Sequence, residues 1–261
     1  MKYLFWCEFP EKVDWERLNH IFEKNNFIAE TGVVCRSKED FLKYKDYSNI
    51  KIVRAWPVLS KEKGYWFSSH TKKEDIDSLD QYKGMKIKLD IEPPLPQGKY
   101  KLGMVFWLLK YCFIRGKNHK YLLNKIKKLS KDTDIMLSTF SFPDWIGRNM
   151  GMTYSKDLKY NFIHYSSFIP NFFLPIYNLY MKWLIKRKLK FKKEISFAVG
   201  LITPGIFGNE PCYSSPKELK KDLKFMKKLK VENVVIFRLG SFLEVKNPDK
   251  WIDVLKANLP S

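Results

Sequence analysis

Asp90 and Glu92 stand two residues apart at the end of the run Lys86-Ile87-Lys88-Leu89-Asp90-Ile91-Glu92, which Pro93 and Pro94 then stop. Polar and apolar residues alternate along it, so a strand here carries Lys86, Lys88, Asp90 and Glu92 on one face and Met85, Ile87, Leu89 and Ile91 on the other. Two carboxylates crowded together beside a lysine need not share one protonation state. The ammonium favours an ionised partner, while a second carboxylate favours a protonated one. A pair divided in this way is what acid/base cleavage of a glycosidic bond employs. Buried, Lys88 needs a carboxylate partner, and Asp90 and Glu8 are the candidates.

The elements that must position these groups follow from the pattern of the whole chain. Eight segments rich in β-branched and aromatic residues read as strands: Tyr3 to Glu8, Phe27 to Cys35, Ile50 to Pro57, Met85 to Glu92, Asp134 to Phe140, Tyr160 to Ser166, Ile195 to Thr203 and Val231 to Leu239. Helical stretches separate most of them, among them Trp15 to Asn25, Lys38 to Lys45, Lys73 to Gln81, Gly103 to Ser130 in two pieces, Pro170 to Lys190 and Pro216 to Leu229. Ser215 and Pro216 mark a helix start, and Leu219, Leu223, Met226 and Leu229 recur at helical spacing behind them. Alternating strands and helices predict an α/β fold, and eight repeats in 261 residues predict one (β/α)8 barrel domain over 1–261. An open doubly wound sheet is the alternative. Neither a GxGxxG nor a Walker loop follows the first strand, so no phosphate cradle and no cofactor is implied.

In a parallel barrel the chemistry gathers where the strands end. That mouth receives Glu8, Arg54 and Trp56, Asp90 and Glu92, Ser138, His164 or Tyr165, Thr203 and Arg238. The loop Thr203 to Pro211, punctuated by glycine and proline, is a candidate lid bringing Glu210. Trp6, Trp56, Tyr65, Trp66 and Trp145 fall near predicted mouth loops, where aromatic faces can stack on sugar rings.

Asp-x-Glu ending the fourth strand of a barrel resembles the site of chitinase-type glycoside hydrolases and of the barrel-fold lysozymes. The resemblance implies Glu92 as general acid, Asp90 as the residue orienting an acetamido group, and Tyr165 as an assisting tyrosine. Glu8 completes the acidic cluster, Lys88, Arg54 and Arg238 are candidates to hold substrate, and Trp56 to stack on it. The motif's upstream acidic positions are occupied here by Lys88 and Met85. A carbohydrate is the partner this reading implies.

Composition supplies the competing readings. Lys and Arg number 48 against 28 Asp and Glu, a net charge of +20, which draws anionic partners. Nucleic acid is disfavoured, because no zinc-ligand spacing, helix-turn-helix pattern or RNP motif accompanies the charge. Glu8, Asp90 and Glu92 make a divalent-metal phosphodiesterase a further alternative, without a His-x-His pair to strengthen it, and Lys88 raises Schiff-base chemistry. Cys7, Cys35, Cys112 and Cys212 form no CxxC pair, and a charge interrupts the first apolar run at Glu8. A cytoplasmic location is expected. No apolar run reaches the roughly 18 residues of a membrane span. Leu102 to Arg115 and Phe168 to Lys193 are nonetheless both greasy and basic, so a non-catalytic barrel contacting an anionic membrane is the reading from another class.

Overall fold

The computed structural model describes residues 1–96, 106, 110, 111, 113–150, 158–190 and 194–259. Most of the Leu102 to Arg115 segment, including Cys112, lies outside the described residues, as do residues 191–193 at the end of the second greasy segment. Eight parallel strands close on themselves: β1 Lys2–Cys7, β2 Ala29–Cys35, β3 Ile50–Pro57, β4 Lys86–Asp90, β5 Asp134–Phe140, β6 Lys159–His164, β7 Ile195–Leu201 and β8 Asn233–Phe237. Pairing of β1 with β8, from Lys2 beside Asn233 to Trp6 beside Phe237, seals the ring and excludes the open sheet. Each strand is shorter than or equal to its predicted segment, because the terminal residues turn away into loops.

Helices cover the outside. Among the described residues they are α1 Trp15–Lys24, α2 Lys38–Phe41, α3 Lys73–Asp77, α4 His119–Leu129, α5 Asp144–Met150, α6 Leu174–Lys188, α7 Pro216–Lys228, α8 Ser241–Glu244 and α9 Pro248–Lys256. Their starts follow local chemistry. The Asp14 carboxylate accepts from the Arg17 amide at 3.0 Å to cap α1. At α7 Pro216 holds the first turn, but Ser215 does not cap with its side chain. Glu218 instead reaches back to the Ser214 amide at 2.7 Å. Leu219, Leu223 and Met226 bury the inner face of α7, and its outer face is lysine.

Two cores result. Between sheet and helices lies one cluster that includes Ile87, Leu89 and Ile91 of the β4 segment, as the alternation requires. Inside the barrel Trp6, Trp56, Met136, Ala198, Leu201, Val235 and Phe237 pack together. Gly32 makes room for them: a Cβ on it would lie 2.6 Å from the Trp6 ring, so only glycine lets that indole rest on β2.

The lower end of the barrel is closed by charge. Arg54 donates to the carbonyls of Ile87 and Asp134, both at 2.9 Å, and pairs with the Asp134 carboxylate at 3.3 Å. Lys159 pairs with the same carboxylate at 3.0 Å and with Glu194 at 3.3 Å. These cations hold the Asp134 carboxyl below the usual carboxylate range against the effect of its burial, the largest influence on it.

Candidate active site

At the opposite end the strand termini open into a cavity of about 1050 Å³, counting the part open to solvent. Glu8 follows β1, Trp56 comes from β3, Lys88 and Asp90 from β4, and Ser138 and Phe140 from β5. Tyr165 follows β6 and Phe237 ends β8. Glu92 lies beyond the last residue of β4, where its amide bonds the Phe67 carbonyl at 3.1 Å and Ile91 bridges to Phe67. Pro93 and Pro96, just after the carboxylates, line the cavity wall.

Lys88 is the centre of the site's electrostatics. Its ammonium sits 2.9 Å from Asp90 Oδ2, 3.0 Å from the centroid of the Trp56 ring and 4.8 Å from that of Trp6. Burial pushes the ammonium below its ordinary pKa, and Asp90 opposes that shift. The cation is thus held by one carboxylate and two indole faces. Asp90 keeps its other oxygen, Oδ1, without a hydrogen-bond partner among the described residues.

The flanking carboxyls are driven the other way. Burial, then the negative charge of Asp90, raises Glu92 well above the ordinary carboxylate range, with Lys88 opposing. Glu8 is pushed up to about 8, chiefly by burial, with Glu210 and Asp90 adding to it and Lys88 subtracting. Tyr65 donates to Glu8 Oε1 at 3.5 Å, a long bond, and Oε2 has no hydrogen-bond partner among the described residues. Trp6 Nε1 and Trp56 Nε1 are likewise unpaired there. Buried polar atoms without partners are uncommon in folded proteins, and several around one cavity mark a place built to meet a ligand.

The loop after β7 covers part of this opening. Ile206 and Phe207 line the cavity, and Glu210 accepts the Phe207 amide at 2.9 Å and the Asn209 amide at 3.1 Å, which ties the loop to itself. Gly205 brings its backbone against the site: a Cβ there would stand 2.8 Å from Glu8 Oε2. Trp66 lines the rim and meets the Phe207 ring edge at 6.5 Å between centroids.

Of the residues singled out from sequence, the structure gathers Glu8, Trp56, Trp66, Lys88, Asp90, Glu92, Ser138, Tyr165 and Glu210 around the cavity. It places the others elsewhere. Arg54 shares the inward parity of Trp56 but points down into the ion pair with Asp134, so it is correctly described as a residue of the barrel floor. Arg238 is at the rim, where its Nε donates to the Pro204 carbonyl at 2.9 Å and its Nη2 pairs with Glu244 at 2.6 Å, bracing the β7 loop against α8. Thr203 bonds Ser241 at 2.7 Å. Between His164 and Tyr165 the pleat selects the tyrosine. His164 faces outward, stacked on Tyr177 at 5.1 Å and on Phe225 at 5.7 Å, and burial pushes it down to about 3, so it is neutral. Phe140, Ile163, Phe168 and Phe237 also line the cavity. The inward parity of Ile163, two residues before Tyr165, was a signal available for one of them.

No group of three or more His, Cys, Asp or Glu side chains among the described residues is arranged to hold a metal ion. Lys88 stands among the carboxylates that a divalent cation would need, and its positive charge disfavours one there.

No protein-family model and no curated protein sequence matches this chain. Solved structures do. The glycoside hydrolase domain of PgaB (BpsB) from Bordetella bronchiseptica superposes with a TM-score of 0.59 at 9% identity, over 97% of this chain and 98% of that one. A D-tagatose 3-epimerase-like protein superposes with a TM-score of 0.53 at 12% identity, over 99% of this chain and 97% of that one. At such low identity the likeness lies in the backbone, and it establishes the (β/α)8 barrel as the fold of this protein.

Proposed function

We propose that the mouth of the barrel binds a carbohydrate and cleaves a glycosidic bond by carboxylate acid/base chemistry, with Glu92 as the general acid. One observation carries this reading: a carboxyl held protonated, Glu92, beside a carboxylate paired with a buried ammonium, Asp90, in a cavity walled by aromatic rings. As the bond to the leaving sugar breaks, a protonated Glu92 gives its proton to that sugar's oxygen, while a water molecule forms the new bond to the anomeric carbon and its released proton restores Glu92. Asp90, pinned through Oδ2, presents Oδ1 to the substrate and to positive charge that develops at the anomeric carbon. Trp66 on the rim offers a face for a sugar ring, Trp56, with Lys88 against its ring, forms part of the wall, and Tyr165 and Glu8 supply further polar contacts. Lys88 acts through Asp90 and is a positioning residue. The PgaB glycoside hydrolase domain has the same fold, which supports the reading, while the assignment here rests on the residues of the site.

The test is turnover of chitooligosaccharides and of a panel of aryl glycosides. Glu92→Gln keeps the shape and removes the proton, and the expected loss in kcat is about 100-fold to 10,000-fold. Unchanged turnover in a folded Glu92→Gln protein would overturn the assignment. Because the acid works protonated, activity should fall as pH rises through the elevated pKa of Glu92.

A further inference from the structure

Helix α6 is apolar on both sides. Met181, Leu184 and Ile185 face the barrel and are buried. On the opposite side Ile176, Leu179 and Trp183 form a stripe at helical spacing, exposed by 68%, 68% and 55% respectively, and Phe172, 73% exposed, and Phe173 continue it in the turn just before the helix. The outward face of α7, by contrast, carries Lys217, Lys220, Lys221 and Lys224. The stripe is not isolated. Trp183 and Trp145 line one groove together, and Trp145 meets the exposed Phe113 at 6.1 Å between centroids. An apolar surface of this extent on a folded chain marks an interaction site.

The charge around it identifies the partner. Lys182, Lys186, Arg187 and Lys190 are exposed along the same helix and just beyond it. No carboxylate occurs in the sequence between Asp157 and Glu194, nor between Glu92 and Asp132. Large apolar side chains on α6 flanked by cations, with no carboxylate in their own stretch of sequence, match an anionic lipid surface, which takes the rings between its acyl chains and the cations among its headgroups. No helix among the described residues is long and apolar enough to cross a membrane, so the contact is one of lying on the surface.

We infer that the outer face of α6 seats the protein on an anionic bilayer. The seat is beside the mouth, since Phe168 lines the cavity and Phe172 begins the stripe four residues later, a span of at most about 14 Å. Docking therefore brings the cavity to the level of the headgroups. This inference is independent of the chemistry proposed for the cavity, and each can fail alone.

Flotation with vesicles tests it, using phosphatidylcholine alone and phosphatidylcholine mixed equally with phosphatidylglycerol. The protein should float with the anionic vesicles only, and less as salt rises. The double variant Ile176→Glu/Leu179→Glu, placed on exposed positions, should lower the bound fraction at least about ten-fold. Lys220→Gln/Lys224→Gln changes net charge by the same amount on α7 and should lower it less than about three-fold. Should the first variant fail to fold, quenching of Trp183 by brominated phosphatidylglycerol, compared with a Trp183→Phe protein, reads the same contact. Equal losses in the two double variants would overturn the inference in favour of diffuse attraction to net charge. Absence of flotation at low salt would overturn it outright. So would a dimer in sedimentation that the α6 variant dissolves while vesicle binding is absent, since the face would then join two copies of this chain.

Discussion

A lysine buried among indoles holds its charge only where an anion stands beside it, and Lys88 has Asp90 at 2.9 Å. The two groups define each other, and Glu92 is set by both. Lys88→Met removes the influence that lowers Glu92 while leaving Asp90, which raises it. The expected result is about a 100-fold loss of kcat together with movement of the alkaline limb of the pH profile to higher pH, since the acid then stays protonated longer. A merely structural role would reduce activity without moving that limb. Glu8 makes the companion case for stability. Its carboxyl titrates near 8 in the folded protein against an ordinary 4.5, so the folded state binds the extra proton between those values and stability falls as pH rises through that window. Glu8→Gln should remove this slope, which amounts to something on the order of 5 kcal/mol at full ionisation. Urea melts at pH 5 and pH 8 measure it, and equal pH sensitivity in both proteins would show that Glu8 is not its source. The carboxylates and Lys88 were legible in the sequence because strand alternation alone gives their facing. Their separation into paired and protonated states was not, because that depends on burial.

Elements decide what these residues can reach. The β4 ladder ends at Asp90, and the following residues turn onto the loop carrying Phe67, so Glu92 stands above the barrel proper. The β2 segment contributes nothing to the chemistry, yet Gly32 within it seats Trp6, which in turn backs Lys88. Gly32→Ala forces its methyl into that ring and should destabilise the fold by about 1 to 3 kcal/mol. A denaturant midpoint unchanged from the parent would mean that the indole moves aside freely. The loop after β7 was recognisable as a cover from its glycines and prolines. That Glu210 would be spent on its own loop amides was not, because nothing in local sequence distinguishes a carboxylate that faces a site from one that ties a turn. Helix α6 illustrates the same limit: its apolar residues were plain, but whether they packed inward or stood outward depended on what the neighbouring elements left uncovered.

At the scale of the molecule the barrel separates its two ends, a floor closed by Arg54, Asp134 and Lys159 and a mouth lined by carboxyls and aromatic rings. Arg54→Ala should therefore lower stability by about 3 kcal/mol, as the loss of a buried ion-pair partner does, with KM for any glycan substrate unaltered. A raised KM with unchanged stability would place Arg54 at the mouth after all. By itself the sequence determined the eight strands, the closure that their number favours, the face on which each side chain falls and the end at which the carboxylates gather, because alternation and helical spacing are local and periodic. Only the tertiary structure decided which long side chains were already taken. Arg54 finds Asp134 across 80 positions of chain, and Arg238 finds Glu244 on the next helix. Reach, burial and choice of partner depend on residues distant in sequence, and no periodicity along the chain encodes them.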